Sequence, residues 1–233
     1  LLYAMDGLNA RPTIDVDFMA ERISRNREFL TKVLQEILGI VCDEDGVTFD
    51  TENITMEPIT VEKKYPGTRF FFTAHMDSIV HKMSVDIGFG DVVTPYPASI
   101  DFPLLLPNIP SVNLQAYSLE TVIAEKFHTM LDRDEYNSRM KDFFDCYQLL
   151  TKRELHDETL YDAIKATFDN RELEYNPKLK LFTAEFVNDA NRQMQWKLFL
   201  RKIQWEEELS FNVVMQVITD RLKPMAEKYW NKK

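Results

Sequence analysis

A change of hydrophobic period part-way along the chain limits the fold more than any other feature. Up to about Phe102 the apolar residues favour every second position, in Thr13–Phe18, Asn53–Val61, Thr68–His75 and Lys82–Phe89, as half-buried strands require. From Ser118 onward the spacing becomes three and four, over Ser118–Asp132, Asn137–Thr151, Asp157–Phe168, Pro177–Ile203 and Ser210–Tyr229, which is a helical pattern. The fourth of these stretches is long enough to be two helices. One further helical pattern, Ala20–Leu38, separates the first two strands and ends at Gly39; its apolar positions are Ile23, Leu30, Val33, Leu34, Ile37 and Leu38. Strands joined partly through a helix imply a mixed sheet, so the expected class is α+β, a mixed sheet with a helical C-terminal domain.

Between the two regimes, Thr94–Pro110 holds Pro95, Pro97, Pro103, Pro107 and Pro110. Proline has no N–H to donate, so this stretch is expected to be neither helix nor central strand, and reads as the connection between domains 1–110 and 111–233. Tyr65-Pro66-Gly67 reads as a turn, with proline setting φ and Gly67 taking a positive one.

The first strand carries the chemistry. In Thr13-Ile14-Asp15-Val16-Asp17-Phe18 alternation puts Asp15 and Asp17 on one face and Ile14, Val16 and Phe18 toward a core. Two carboxylates that close repel unless a cation lies between them, and a hard divalent ion with oxygen ligands answers that need. An amphipathic edge strand with a charged solvent face shows the same alternation. A third acid separates the readings: in Lys82–Phe89, Met83, Val85, Ile87 and Phe89 form one face, and Lys82, Ser84, Asp86 and Gly88 the other. Small Ser84 and Gly88 leave room for a ligand beside Asp86. A dyad with a remote single acid is the donor set of a two-metal phosphoryl-transfer site.

On the later helices two charged groups stand out. Ser118 suits an N-cap, and Leu119, Val122, Ile123, Phe127, Met130 and Leu131 form a stripe that includes Lys126. Lys126 either snorkels out along its stem or meets a phosphate as a point charge. Unpaired in an apolar stripe it would oppose folding, so exchange for Met is expected to leave stability unchanged or raise it. On the next helix Met140, Phe143, Phe144, Tyr147 and Leu150 form the core face, which by periodicity leaves Lys141, Asp142 and Asp145 solvated.

Leu1–Phe18 (LLYAMDGLNARPTIDVDF), Lys82–Asp91 (KMSVDIGFGD), Tyr117–Lys126 (YSLETVIAEK) and Arg139–Tyr147 (RMKDFFDCY) resemble, in order, four motifs of the AbiEii/AbiGii toxin family. That family belongs to the DNA polymerase β-like nucleotidyltransferases. The resemblance implies a mixed-sheet nucleotidyltransferase domain, with the helical domain bringing Lys126 and Asp142 to its cleft. It implies Mg2+ or Mn2+ at Asp15, Asp17 and Asp86, and a nucleoside triphosphate held by Lys126, Ser84 and Arg139. It reverses the reading of Asp142, now expected near the site as an ion-pair partner of Lys126, with Asp145 and Glu125 structural. It further implies an RNA acceptor such as tRNA, a cognate antitoxin and a role in phage defence. The superfamily's glycine turn, some ten residues before the dyad, has no match here: Gly7 lies too close to Asp15, and the turn is expected upstream of Leu1. A catalytically silent scaffold and a metal-dependent phosphodiesterase remain as alternatives.

Composition narrows the partners. The 233 residues are 45% hydrophobic, and the net charge of −10 is the wrong sign for coating nucleic acid, so any RNA contact must be local. Its candidates are Arg192, Lys197, Arg201 and Lys202, and Lys223, Lys228, Lys232 and Lys233, all of which also suit a solvated helix face and tail. No apolar run suits a membrane span or signal peptide. Cys42 and Cys146 lack metal-ligand spacing and read as small buried hydrophobes in a reducing cytoplasm. His75, His81, His128 and His156 show no zinc pairing.

Overall fold

The computed structural model describes residues 2–7, 10–13, 16–42, 45–59, 67–102 and 111–231. In chain order its elements are α1 (Leu2–Asp6), β1 (Val16–Ala20), α2 (Arg27–Leu38), β2 (Thr48–Phe49), β3 (Thr55–Ile59), β4 (Gly67–Met76), β5 (Ile79–Phe89), β6 (Ala98–Phe102) and β7 (Val112–Ala116). Helices follow: α3 (Leu119–Arg133), α4 (Met140–Lys152), α5 (Asp157–Asn170), α6 (Ala184–Asn188), α7 (Ala190–Lys202) and α8 (Phe211–Trp230). Two compact units divide them. The sheet unit lies within 12–91 and 102–112, and the helical unit within 1–11, 92–101 and 113–233.

The sheet is mixed, as the helix between its first strands requires. Its order is β1-β5-β4-β2, with β3 also on β4; β1 runs parallel to β5 and the other pairs are antiparallel. Leu30, Leu34 and Leu38 of α2 pack against Phe70, Phe72, Val85 and Phe89, so one face of the sheet is the core and the other is left for polar residues.

Several local expectations need correction. Helix α2 begins at Arg27 rather than Ala20, which ends β1. The Asn26 side chain caps it, accepting from the Phe29 N–H at 3.0 Å, and Ile23 falls outside the helix, 42% exposed. Gly39 closes α2 with φ −79, a right-handed conformation, and Gly67 is a strand residue without positive φ; Tyr65 and Pro66 lie outside the described residues. Val16 and Phe18 were expected in the core but are exposed. They share the face of Val85 and Ile87, their register partners, yet β1 is the edge strand and its apolar side chains lie at the margin of that core. Cys42 is only half-buried, bridging to Val47.

In the proline-rich stretch, among the described residues, β6 pairs with β7 as a two-stranded ribbon, and 103–110 lie outside the described residues. The helical unit buries a large aromatic core that includes Phe127, Phe143, Phe168, Trp196 and Phe211, with Phe143 edge-on to Phe211 at 5.3 Å. Ser118 caps α3, its hydroxyl accepting from the Thr121 N–H at 3.1 Å. The long fourth helical pattern is shorter than expected, with 177–183 non-helical, and the rest is two helices, α6 and α7, meeting at Asp189. Arg192 was expected on a solvated face and is instead buried. It stacks on Phe186 at 3.6 Å and donates to the carbonyls of Phe186, Asn137 and Glu135. No helix among the described residues is long and apolar enough to cross a membrane.

Candidate functional site

Strand register builds the first cluster. Asp17 on β1 stands opposite Asp86 on parallel β5, so both side chains project from the same face, at a strand spacing of about 4.8 Å. On the other side of β5, Arg69 of β4 stands opposite Asp86, and Glu57 of β3 opposite Arg69. The polar face therefore carries a row Asp17, Asp86, Arg69, Glu57. Arg69 forks onto Asp86, donating from Nε to Oδ1 at 2.6 Å and from the second terminal nitrogen to Oδ2 at 2.7 Å. Ser84 lies two residues from Asp86 on the same face, half-buried. A Cβ built on Gly88 would meet the Asp91 carboxylate and the Phe18 carbonyl oxygen at 3.9 Å, ordinary van der Waals contact, so a small side chain would be tolerated there.

Asp15 lies outside the described residues. Among the described residues no group of three His, Cys, Asp or Glu side chains converges to hold a metal ion. The residues present nonetheless fit a divalent cation: Asp17 and Asp86 offer hard carboxylate oxygens side by side, and Arg69 shows that this position already draws a cation.

The second cluster belongs to the helical unit. Asp142 and Asp145, three apart on α4, share a helix face and are 0% and 1% exposed. Lys126 of α3 reaches both, with its Nζ at 3.1 Å from Asp142 Oδ1 and 2.8 Å from Asp145 Oδ2. Arg139 donates from Nε to Asp142 Oδ2 at 2.5 Å, and Arg11 forks onto Asp145 at 2.7 and 2.6 Å. Two buried carboxylates thus face three cations. Periodicity alone placed both acids in solvent. They are buried because α4 is covered on nearly every side, with Met140, Phe143, Phe144, Cys146, Leu149 and Leu150 also in the core. The expected Lys126–Asp142 ion pair is present, and Asp145 lies closer to the lysine than Asp142 does. Glu125 pairs with Arg171.

Burial opposes charge on Lys126, but Asp145 and Asp142 outweigh it and hold the ammonium above the usual lysine range. Burial likewise opposes ionisation of Asp142, and Lys126 and Arg139 outweigh it, keeping the carboxyl below the usual range. Cys146, buried beside them, is pushed far up by desolvation and stays a neutral thiol.

Sequence reasoning missed two members. Arg69 alternates with the buried Phe70 and Phe72 on β4, a signal that places it on the polar face without naming its partner. Arg11 pairs with a residue 134 positions away, which no local pattern announces.

Two cavities lie apart from the paired acids. One of about 920 Å3 in the helical unit is lined by Asp169, Glu172, Glu174, Tyr175, Glu227 and Trp230 among others, a charge that repels a triphosphate. One of about 330 Å3 lies at the C-terminal ends of β1 and β5, lined in part by Arg22, Arg25 and Gly90.

None of the curated proteins matches the chain. Among solved structures, JHP933 from Helicobacter pylori is similar, at TM-score 0.50 and 13% identity over 97% of this chain and 80% of that one. A H. pylori structure described as that of a nucleotidyltransferase follows, at TM-score 0.49 and 12% identity over 100% and 85%. The first likeness is one of fold. The family model described as nucleotidyl transferase AbiEii toxin, type IV TA system, matches residues 1–217. The chain therefore belongs to the AbiEii family, and is a nucleotidyltransferase toxin of a type IV toxin–antitoxin system.

Proposed function

We propose that the protein moves a nucleotide from a nucleoside triphosphate onto a hydroxyl of RNA, tRNA being the acceptor in view, in a metal-dependent reaction. Asp15, Asp17 and Asp86 would hold Mg2+ or Mn2+, which when bound neutralises the charge developing on the transferring phosphate. The observation that carries this reading is the in-register pair Asp17 and Asp86 on one open sheet face.

Asp86 takes the proton of the attacking hydroxyl, and the small Ser84 on the same face leaves room for that hydroxyl beside it. Ser84 offers a hydroxyl to the nucleotide. In the helical unit, Lys126 and Arg139 are assigned to phosphate, with Asp142 orienting both. Arg139 is the more accessible of the two, with a side chain 42% exposed against 19% for Lys126. A cytoplasmic toxin held in check by a cognate antitoxin, released during phage infection, is the setting this activity suits.

The test is incubation of the protein with each labelled nucleoside triphosphate, total RNA and Mg2+. Transfer releases pyrophosphate and leaves label on RNA, and chelation of the metal stops it. Cleaved RNA without label would replace transfer by phosphodiester hydrolysis, and neither product would make the protein a silent scaffold.

A further inference from the structure

We propose that Arg69 and a divalent cation compete for Asp86: Arg69 forks onto its carboxylate, and a cation binding there sends the guanidinium to a phosphate of the triphosphate. The inference rests on the metal reading above and adds to it a residue that no motif contains.

Asp17 and Asp86 are neighbours on one face, and two carboxylates so placed need a positive charge. Arg69 supplies it from β4 with a two-point fork to both oxygens of Asp86. A divalent ion ligated by Asp86 takes one of those oxygens and brings twice the charge. It thus removes both a hydrogen-bond acceptor and the electrostatic reason for the fork.

The released side chain has somewhere to go. Its side chain is already 42% exposed, on a long stem anchored in β4. Its planar donors match a phosphate as well as they match a carboxylate. Glu57, opposite Arg69 on β3, is the competing resting place. It predicts a different result, because an arginine parked there adds nothing to triphosphate binding.

The experiment is calorimetric titration of the full chain with Mn2+ alone, then with α,β-methylene analogues of the four nucleoside triphosphates at saturating Mn2+. It compares wild type, Arg69→Gln, Arg69→Lys and Asp86→Asn. Removing a charge-assisted fork should let Arg69→Gln bind Mn2+ about tenfold tighter and the triphosphate about tenfold more weakly. Arg69→Lys, which keeps the charge without the fork, should recover part of the triphosphate affinity. Mn2+ affinity that is equal or weaker in Arg69→Gln, with wild-type binding intact, overturns the displacement. Unchanged triphosphate affinity overturns the transfer to phosphate. If wild type binds no Mn2+, the metal reading itself fails, and Arg69 with it, by a result distinct from the other two.

Discussion

The two charged clusters of this protein are built on opposite terms. On the sheet unit, Asp17 and Asp86 stand on an open face with Arg69 beside them. In the helical unit, Asp142 and Asp145 have almost no exposure and are met by Lys126, Arg11 and Arg139. A partly exposed acid pair adds little to stability and is within reach of a ligand from solvent. A buried network has already lost its solvation, so every member depends on the others. The difference separates groups available for chemistry from groups that must first hold the fold.

Removing an acid from the buried network should give the largest effect on stability. Asp142→Ala leaves Lys126 and Arg139 with one acid fewer in a desolvated position, a loss of about 3–5 kcal/mol. Chemical denaturation measures it, and a loss below 1 kcal/mol would erase the contrast between the clusters. The same residue sets an acid limit. Its folded pKa lies below the ordinary carboxylate value of 3.8, so its contribution is fully present above that value. It is lost as pH falls through the lower folded one. Lys126 has the opposite sign: its pKa is raised above 10.5, so its contribution is complete below that and lost only as pH rises beyond it. Wild type should therefore lose stability more steeply than Asp142→Asn between pH 4 and pH 2, read by thermal midpoints.

Lys126→Met sharpens the comparison. Sequence alone predicted no loss of stability, on the view of a lysine unpaired in an apolar stripe. Paired with two buried carboxylates, it should instead destabilise by about 1–3 kcal/mol, less than Asp142→Ala because Arg139 and Arg11 still face the acids. Asp86→Asn should have the smallest effect, within about 0.5 kcal/mol, because the Arg69 pair it weakens is partly exposed and the repulsion from Asp17 goes with it. A drop comparable to that of Asp142→Ala would place Asp86 among the structural groups.

What the sequence made legible follows from where periodicity has force. The polar face of β5 and the Ser118 cap were readable, because each depends on residues a few positions apart. The start of α2 was not: apolar Ile23 extends the helical pattern, while the Asn26 cap overrides it locally. The exposed Val16 and Phe18 show a second limit, since alternation identifies a face but not whether another element covers it. Asp142 and Asp145 show a third. A helix covered on nearly every side hides its ion pairs from an amphipathic count, and only the family motif indicated otherwise.

The central claim, that the acids of the sheet unit serve transfer rather than folding, is tested most directly by the double variant Asp17→Asn/Asp86→Asn against wild type. Nucleotide incorporation into RNA and the thermal midpoint are measured on the same samples. The account predicts a midpoint within a few degrees of wild type and incorporation reduced by on the order of 10²–10³-fold or more. Incorporation at the wild-type rate by the folded variant would contradict it.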